Sequence, residues 1–385
     1  MMQKAFINGC IFTGEKTLTE HTLYTDNDKI SHIIRAPLST DFTGDVIDLN
    51  GQILAPGLID IQVNGGGGTL FNDQPTVSGL TDIVSAHYQY GTVAMLPTLI
   101  SDSEKKIALA IEAVNNAIAE AVPGIIGLHL EGPFLNPDYK GVHNPDYFHP
   151  VQHSHIPLLT SIHNGAMLIT LAPEKAESGV IKALNEQGVV VFAGHTGATY
   201  DETIDALAEG LAGFTHLFNA MTPLHKREPG VVGAALEDSQ SYCGIIVDRY
   251  HVHPTALKIA IKAKASGKMI LVTDAMPTVG ARDKRFVLNN ETIKAENGRC
   301  ATADNTLAGS DLDMISAVKN SVDSLGVTWQ EAIRMGSTYP AQCLNIDHQL
   351  GFLKPGFKAS MIQIDHNIDL QQVWIEGQSV FAKTG

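Results

Sequence analysis

Short apolar, β-branched runs recur through the middle of the chain, and a longer stretch with helical spacing follows most of them. Eight such runs stand at 53–62, 92–98, 125–131, 167–173, 189–195, 213–219, 242–248 and 269–274. They do not alternate with polar residues, which is the pattern of strands buried on both faces in a parallel sheet. Helix-like segments at 103–121, 175–187, 199–210 and 254–266 lie between them. Gly91, Gly188, Gly210 and Gly267 fall where helices end and a left-handed cap is needed. Eight strand–helix repeats predict a closed (β/α)8 TIM-type barrel. An open doubly wound sheet is the competing architecture, less favoured at this strand count.

The two ends read differently. Residues 1–52 alternate in short pieces with turns at Asn8-Gly9 and Asn50-Gly51, and 350–385 do the same around Glu376-Gly377. Such pieces predict antiparallel hairpins. Neither end alone is long enough to bury a core. The expectation is therefore one small β-sandwich domain built from 1–52 and 350–385, beside a barrel domain of 53–349. Residues 283–307 read as an inserted hairpin turning at Asn289-Asn290, and 311–325 and 328–338 as the last helices. Leu307-Ala308-Gly309-Ser310 reads as a turn ahead of the 311–325 helix, with Ser310 or Asp311 as its cap. The run Gly65-Gly66-Gly67-Gly68 lacks the GK[ST] of a phosphate loop and reads as a flexible turn near the barrel mouth.

Charge narrows the partners. With 26 Lys+Arg against 41 Asp+Glu the net charge is −15, which disfavours a general binder of nucleic-acid backbone. An anionic small substrate would need a local basic pocket. Cys10, Cys243, Cys300 and Cys343 lie far apart with no CxxC spacing, as expected of reduced cysteines in a cytosolic protein. No membrane-spanning run or export signal is visible, so the cytoplasm is the expected compartment.

In a barrel of this kind, polar residues at the C-terminal ends of strands point into the active site. Alternation along the first run puts Asp60, Gln62 and Asn64 on one face. The third run ends in Glu131, the fifth in His195 and the eighth in Asp274, the sixth carries His216, and the seventh leads to His251. One carboxylate and two imidazoles converging on a mouth can hold a divalent ion with positions left for water and substrate. Glu131, His195 and His216 are the candidate ligands. The competing reading makes them hydrogen-bonded core or rim groups, the usual fate of a single histidine.

Several segments together carry a narrower signal. They are Ala55-Pro56-Gly57-Leu58-Ile59-Asp60, His129-Leu130-Glu131-Gly132-Pro133, Lys140-Gly141-Val142-His143-Asn144-Pro145, Gly194-His195, His216-Leu217-Phe218-Asn219-Ala220-Met221, Arg227-Glu228-Pro229-Gly230 and Thr273-Asp274-Ala275. With these the chain resembles, nearly end to end, the amidohydrolase superfamily and within it the N-acetylglucosamine-6-phosphate deacetylase family.

The resemblance implies hydrolysis of N-acetyl-D-glucosamine 6-phosphate to glucosamine 6-phosphate and acetate, in amino-sugar catabolism or recycling. It implies one divalent ion on Glu131, His195 and His216. Zn²⁺ suits that donor set best, with Fe²⁺, Co²⁺ and Mn²⁺ as alternatives. Many superfamily members carry a His-x-His at the first strand and a Lys at the fourth. Here those places hold Gln62, Asn64 and Glu174, which argues for one tight ion, with the two amides contacting water or a weak second ion. Asp274 is the implied general base and acid, and His143 the residue that polarises the carbonyl. The bland alternative for His143 is a surface loop histidine. Implied substrate contacts are Val142, His143, Asn219, Ala220, Arg227, His251, Leu307, Ala308 and Gly309, with Arg227 and His251 on the phosphate. Arg227 read alone is an exposed loop charge. A homodimer or homotetramer is implied, in some members with a phosphate site shared between subunits. Two other functions stay open: an amidohydrolase acting on a cyclic amide or another N-acyl substrate, and a catalytically dead barrel that serves as a scaffold.

Overall fold

The structure is a computed structural model and describes residues 3–383. It divides into two compact units, one of residues up to 60, 87–94 and from 314 onward, the other of 61–86 and 95–313.

The larger unit carries most of an eight-stranded sheet whose strands follow one another in sequence order. We number them β1 (Leu58–Val63), β2 (Thr92–Ile100), β3 (Gly127–Glu131), β4 (Ala166–Leu171), β5 (Val190–Ala193), β6 (Gly213–Phe214), β7 (Tyr242–Ile245) and β8 (Met269–Leu271). Neighbours from β2 to β8 pair parallel. Every residue of β1, β2, β3 and β5 is buried, which is why these strands lack alternation. Beyond β8 the chain returns to β1 through a parallel bridge between Val63 and Ala275. Asp274 N–H donates to the Gln62 carbonyl at 3.0 Å and Asn64 N–H to the Ala275 carbonyl at 2.9 Å. The expected (β/α)8 barrel is thus the architecture found. Helices cover it where the spacing placed them: Glu104–Ala119 is capped by Ser103, and Tyr200–Ala208 opens on a Thr199/Glu202 capping box. Gly91, Gly188, Gly210 and Gly267 all take positive φ, between 81° and 103°.

Several runs depart from the expected extent; 242–248, for one, leaves the sheet after Ile245. The 53–62 run breaks at Gly57: Ile53–Pro56 pairs antiparallel with Met361–Ile364, and only Leu58–Val63 enters the barrel sheet. Pro56 has no N–H to continue a ladder, and a Cβ at Gly57 would lie 2.3 Å from Val93. The 213–219 and 269–274 runs leave the ladder after Phe214 and Leu271, because His216, Phe218, Ala220 and Asp274 take left-handed backbone conformations.

The insertion is larger than a hairpin. Arg285–Leu288, Glu291–Glu296, Arg299–Ala301 and Leu307–Ser310 form a four-stranded antiparallel sheet, with Asn289 and Asn290 both at positive φ as a type I′ turn requires. Leu307–Ser310 is therefore a strand and not a helix-capping turn. Ser310 Oγ donates to the Thr273 carbonyl at 2.6 Å and so ties the insertion to the chain after β8. The four-glycine run forms a tight hairpin, Gly65–Gly66 against Thr69–Leu70.

The smaller unit contains two sheets. One has the order Lys29–Ile34, Thr22–Asp26, Gln3–Ile7, Asp45–Asp48. The other runs from Gln378–Ala382 through Leu370–Ile375, Met361–Ile364, Ile53–Pro56 and Cys10–Phe12 to Thr17–Leu18. Phe6, Leu23 and Ile30 from the first meet Ile11, Leu54, Met361 and Trp374 from the second in one core, with Phe6 edge-on to Trp374 at 5.1 Å. The terminal segments do form a sandwich. Asn8-Gly9 and Asn50-Gly51 are not hairpin turns, however: each passes the chain from one sheet to the other, whereas Glu376-Gly377 does join an antiparallel pair. Among the described residues no helix is long and apolar enough to cross a membrane.

Candidate metal and catalytic site

Three strands deliver the proposed ligands. Glu131 is the last residue of β3, and His195 and His216 follow β5 and β6 with φ of 49° and 32°. Left-handed backbone at a non-glycine residue is strained and concentrates at functional sites; here it marks where the chain turns off its strand. Glu131 Oε1 lies 2.9 Å from His216 Nε2 and 3.4 Å from His195 Nε2, and the two Nε2 atoms are 3.1 Å apart. Three ligand atoms about 2.0–2.1 Å from a tetrahedral ion stand about 3.3 Å from one another. The observed triangle has that size, and all three residues are buried. The His195 tautomer fits as well. Its Nδ1 is 2.8 Å from the Tyr139 carbonyl; a carbonyl only accepts, so the proton sits on Nδ1 and the Nε2 lone pair is free for a cation. Burial alone would raise the Glu131 carboxyl, but the imidazoles of His195 and His216 beside it, His216 above all, outweigh that and hold the carboxyl well below its ordinary range. His216, which burial would lower, is raised by the bond to Glu131 and the charge beside it.

Asp274 follows β8 at a φ of 54°. Burial, with the Glu131 charge nearby, pushes its carboxyl up to about 6. The strand-one amides reach it: Asn64 Nδ2 donates to Oδ1 at 2.6 Å, and Gln62 Nε2 stands 3.2 Å from Oδ1 and 3.1 Å from Glu131 Oε1.

His143 is not a surface histidine; only 4% of it is exposed. Its Nδ1 accepts from Ser101, with Oγ at 2.8 Å and the backbone N–H at 3.4 Å. A backbone N–H only donates, so Nδ1 is unprotonated and Nε2 carries the hydrogen. Burial pushes the ring down to about 3, so it is a neutral N–H donor at physiological pH. His251 Nδ1 pairs with Asp248 Oδ2 at 2.6 Å, and Asp248 also accepts the N–H groups of Tyr250 and His251.

A cavity of about 250 Å³ joins these groups. Glu131, His195, His216, Asp274 and Asn64 line it together with Val142, His143, Asn219, Ala220, His251, Leu307 and Gly309. Two expected substrate contacts do not line it. Ala308 is fully buried, and Arg227 is exposed on the loop before the helix Gly230–Glu237. A second His/Glu group, Glu104 with His149 and His155, has ligand atoms at metal-like separation. There His155 Nδ1 accepts the Gln152 N–H at 2.9 Å, so Nε2 bears a hydrogen towards Glu104 where a ligand needs a lone pair.

The amidohydrolase family model matches residues 53–380. The chain belongs to the amidohydrolase family. Among its relatives, an N-acetylgalactosamine-6-phosphate deacetylase of Shewanella sp. (strain ANA-3) is 38% identical over 97% of this chain and 95% of its own. An N-acetylglucosamine-6-phosphate deacetylase of Haemophilus influenzae is 33% identical over 98% and 99%. The crystal structure of an N-acetylglucosamine-6-phosphate deacetylase from Pasteurella multocida superposes with a TM-score of 0.95 at 33% identity, covering 99% of this chain and all of that one. The family is metal-dependent, and this amidohydrolase holds a candidate metal group in its barrel mouth.

Sequence reasoning missed three supports of the amidohydrolase site. Ser101 sits just past β2 with nothing local to mark it. Asp248 ends the 242–248 run as Glu131 ends its own, and that position was its signal. Glu174, read only as a missing lysine, accepts from Asn136, Thr196 and Gly197 on the loops after β3 and β5.

Proposed function

We propose that the protein removes the acetyl group from a phosphorylated N-acetylamino sugar, converting N-acetylglucosamine 6-phosphate and water to glucosamine 6-phosphate and acetate. The observation that carries this reading is one cavity lined by a metal-sized donor triangle, a carboxyl raised to about 6 and a neutral imidazole N–H donor. Glu131, His195 and His216 would hold one divalent ion, and Zn²⁺ suits two imidazoles and a carboxylate best. When bound, such an ion acidifies water and polarises a carbonyl. Asp274 takes a proton from the attacking water and returns it to the nitrogen as the C–N bond breaks, since an amine anion cannot leave. His143 Nε2–H donates to the acetyl oxygen as negative charge develops there. Val142, Asn219, Ala220, Leu307 and Gly309, which line the cavity, hold the sugar.

His251 and Arg227 bind the phosphate, Arg227 by paired hydrogen bonds. Among the described residues no lysine or arginine lines the cavity and Arg227 is exposed, which supports the reading that Arg227 serves the site of a neighbouring subunit in a homodimer or homotetramer. Four free cysteines and a phosphorylated substrate fit a cytoplasmic enzyme.

N-acetylgalactosamine 6-phosphate, the C4 epimer, is a second substrate reading, favoured by the name of the 38% identical relative. Acetate release from both sugar phosphates and from unphosphorylated N-acetylglucosamine tests the proposal. Turnover of at least one phosphorylated sugar, well above the plain sugar, is expected. Release from none of the three would end it, and the ratio of kcat/KM between the epimers decides the substrate.

A further inference from the structure

The two amides at the end of β1 touch the cavity's carboxylates in a one-sided way. Gln62 and Asn64 are two residues apart on a strand, so both side chains leave the same face. The backbone bonds between 62–64 and 274–275 then place that face beside Asp274. Gln62 Nε2 lies 3.1 and 3.2 Å from the two oxygens of Glu131 and 3.2 Å from Asp274 Oδ1. An NH₂ group among three carboxylate oxygens can only be a donor. Asn64 Nδ2 is 2.6 Å from the same Asp274 Oδ1. An amide oxygen that close to a carboxylate oxygen would be repelled, so here too the NH₂ faces Asp274. Both amide donors thus converge on Oδ1, and among the described residues no hydrogen bond reaches Oδ2.

We infer that Gln62 and Asn64 are positioning residues that tether Asp274 by Oδ1 and thereby make Oδ2 the oxygen that carries the proton. The inference rests on the deacetylase reading. An O–H bond of water breaks as its proton goes to Oδ2, and the water oxygen bonds to the acetyl carbon while the carbonyl π pair moves onto oxygen. That pair then re-forms the C=O bond, the C–N pair leaves on nitrogen, and nitrogen takes the proton from Oδ2. An untethered carboxylate could turn its proton away from nitrogen, so the tether acts on turnover and not on sugar affinity. It also gives the amides that stand in place of a His-x-His a task other than metal binding.

The test is Asn64→Leu, which matches the side chain in shape and removes both polar ends. We expect kcat to fall about 10–100-fold, with KM for the sugar phosphate within about twofold and metal content per chain equal to wild type. The acid limb of the kcat/KM profile should move to higher pH, because a donor that favours the ionised carboxylate is gone. Asn64→Asp, equally isosteric, replaces the donor with an oxygen and should show the same loss; it serves if the leucine variant does not fold. A crystal structure of either variant should show the Asp274 carboxylate rotated. Turnover within twofold of wild type, or a kcat loss that tracks lost metal, overturns the inference. Failure of the wild-type protein to release acetate would instead sink the deacetylase reading.

Discussion

Glu174 offers the sharpest test of how the second layer supports the candidate metal group. Its carboxylate accepts Asn136 Nδ2–H at 2.8 Å, the Gly197 N–H at 2.7 Å and Thr196 Oγ–H at 2.5 Å. Thr196 and Gly197 directly follow His195. Asn136 caps the short helical turn Pro137–Tyr139, and the Tyr139 carbonyl holds His195 Nδ1. Glu174 therefore ties both loops that orient one candidate ligand, His195. Hydrogen bonds to a charged group contribute about 1.5–3 kcal/mol each, less where solvent screens them, and Glu174 is only partly buried. Glu174→Ala should cost about 3–5 kcal/mol in urea unfolding of the metal-free protein. Metal affinity, measured by competition with a chelator, should fall about 10–100-fold, as for other residues that orient ligands. Glu174→Gln should lie between, because its oxygen can still serve Asn136 and Gly197 while its NH₂ faces Thr196. An alanine variant within about 1 kcal/mol of wild type that also binds metal within threefold would show that His195 needs no such support.

Three further outcomes follow from the same geometry. Asp274→Asn should leave metal content unchanged and lower turnover by about 10²–10⁴-fold, the range for losing a general acid–base; near-normal acetate release would remove Asp274 from the reaction. Arg227→Ala should raise KM for the sugar phosphate about tenfold or more while leaving the unphosphorylated sugar within about twofold, and an equal effect on both would separate Arg227 from phosphate. His129, wholly buried between Thr98 and Thr170, is pushed down to about 4 by burial against an ordinary 6.5. The unfolded chain binds that proton first, so metal-free protein should lose about 3 kcal/mol as pH falls from 6.5 to 4; a His129→Gln variant with the same pH slope in its thermal midpoint would contradict this.

Much of the architecture was legible because it is local chemistry. Runs without alternation announced strands buried on both faces, and the glycines at 91, 188, 210 and 267 sit where caps need positive φ. The grouping of the candidate ligands was legible for a related reason: Glu131, His195 and His216 are polar residues at the ends of apolar runs, where a barrel must place its mouth. What stayed hidden depends on contacts across many residues of sequence. Asn8-Gly9 has the composition of a hairpin turn, yet the flanking strands find partners in different sheets, and nothing near residue 8 encodes that choice. The functional role of His143 was legible, but the partner that fixes its tautomer, Ser101, lies over forty residues away. The role of Glu174 depends on three donors from two other loops. Gln62 and Asn64 were visible as departures from a ligand pair, but their convergence on a single oxygen of Asp274 needs the bridge that closes β8 onto β1.

Anomalous diffraction from crystals grown with Zn²⁺ and recorded at the zinc edge addresses the central claim most directly. The account predicts one strong peak per chain, about 2.0–2.2 Å from Glu131 Oε1, His195 Nε2 and His216 Nε2, and none among Glu104, His149 and His155. A peak at that second group with none in the barrel mouth, or no bound zinc at all, would contradict it.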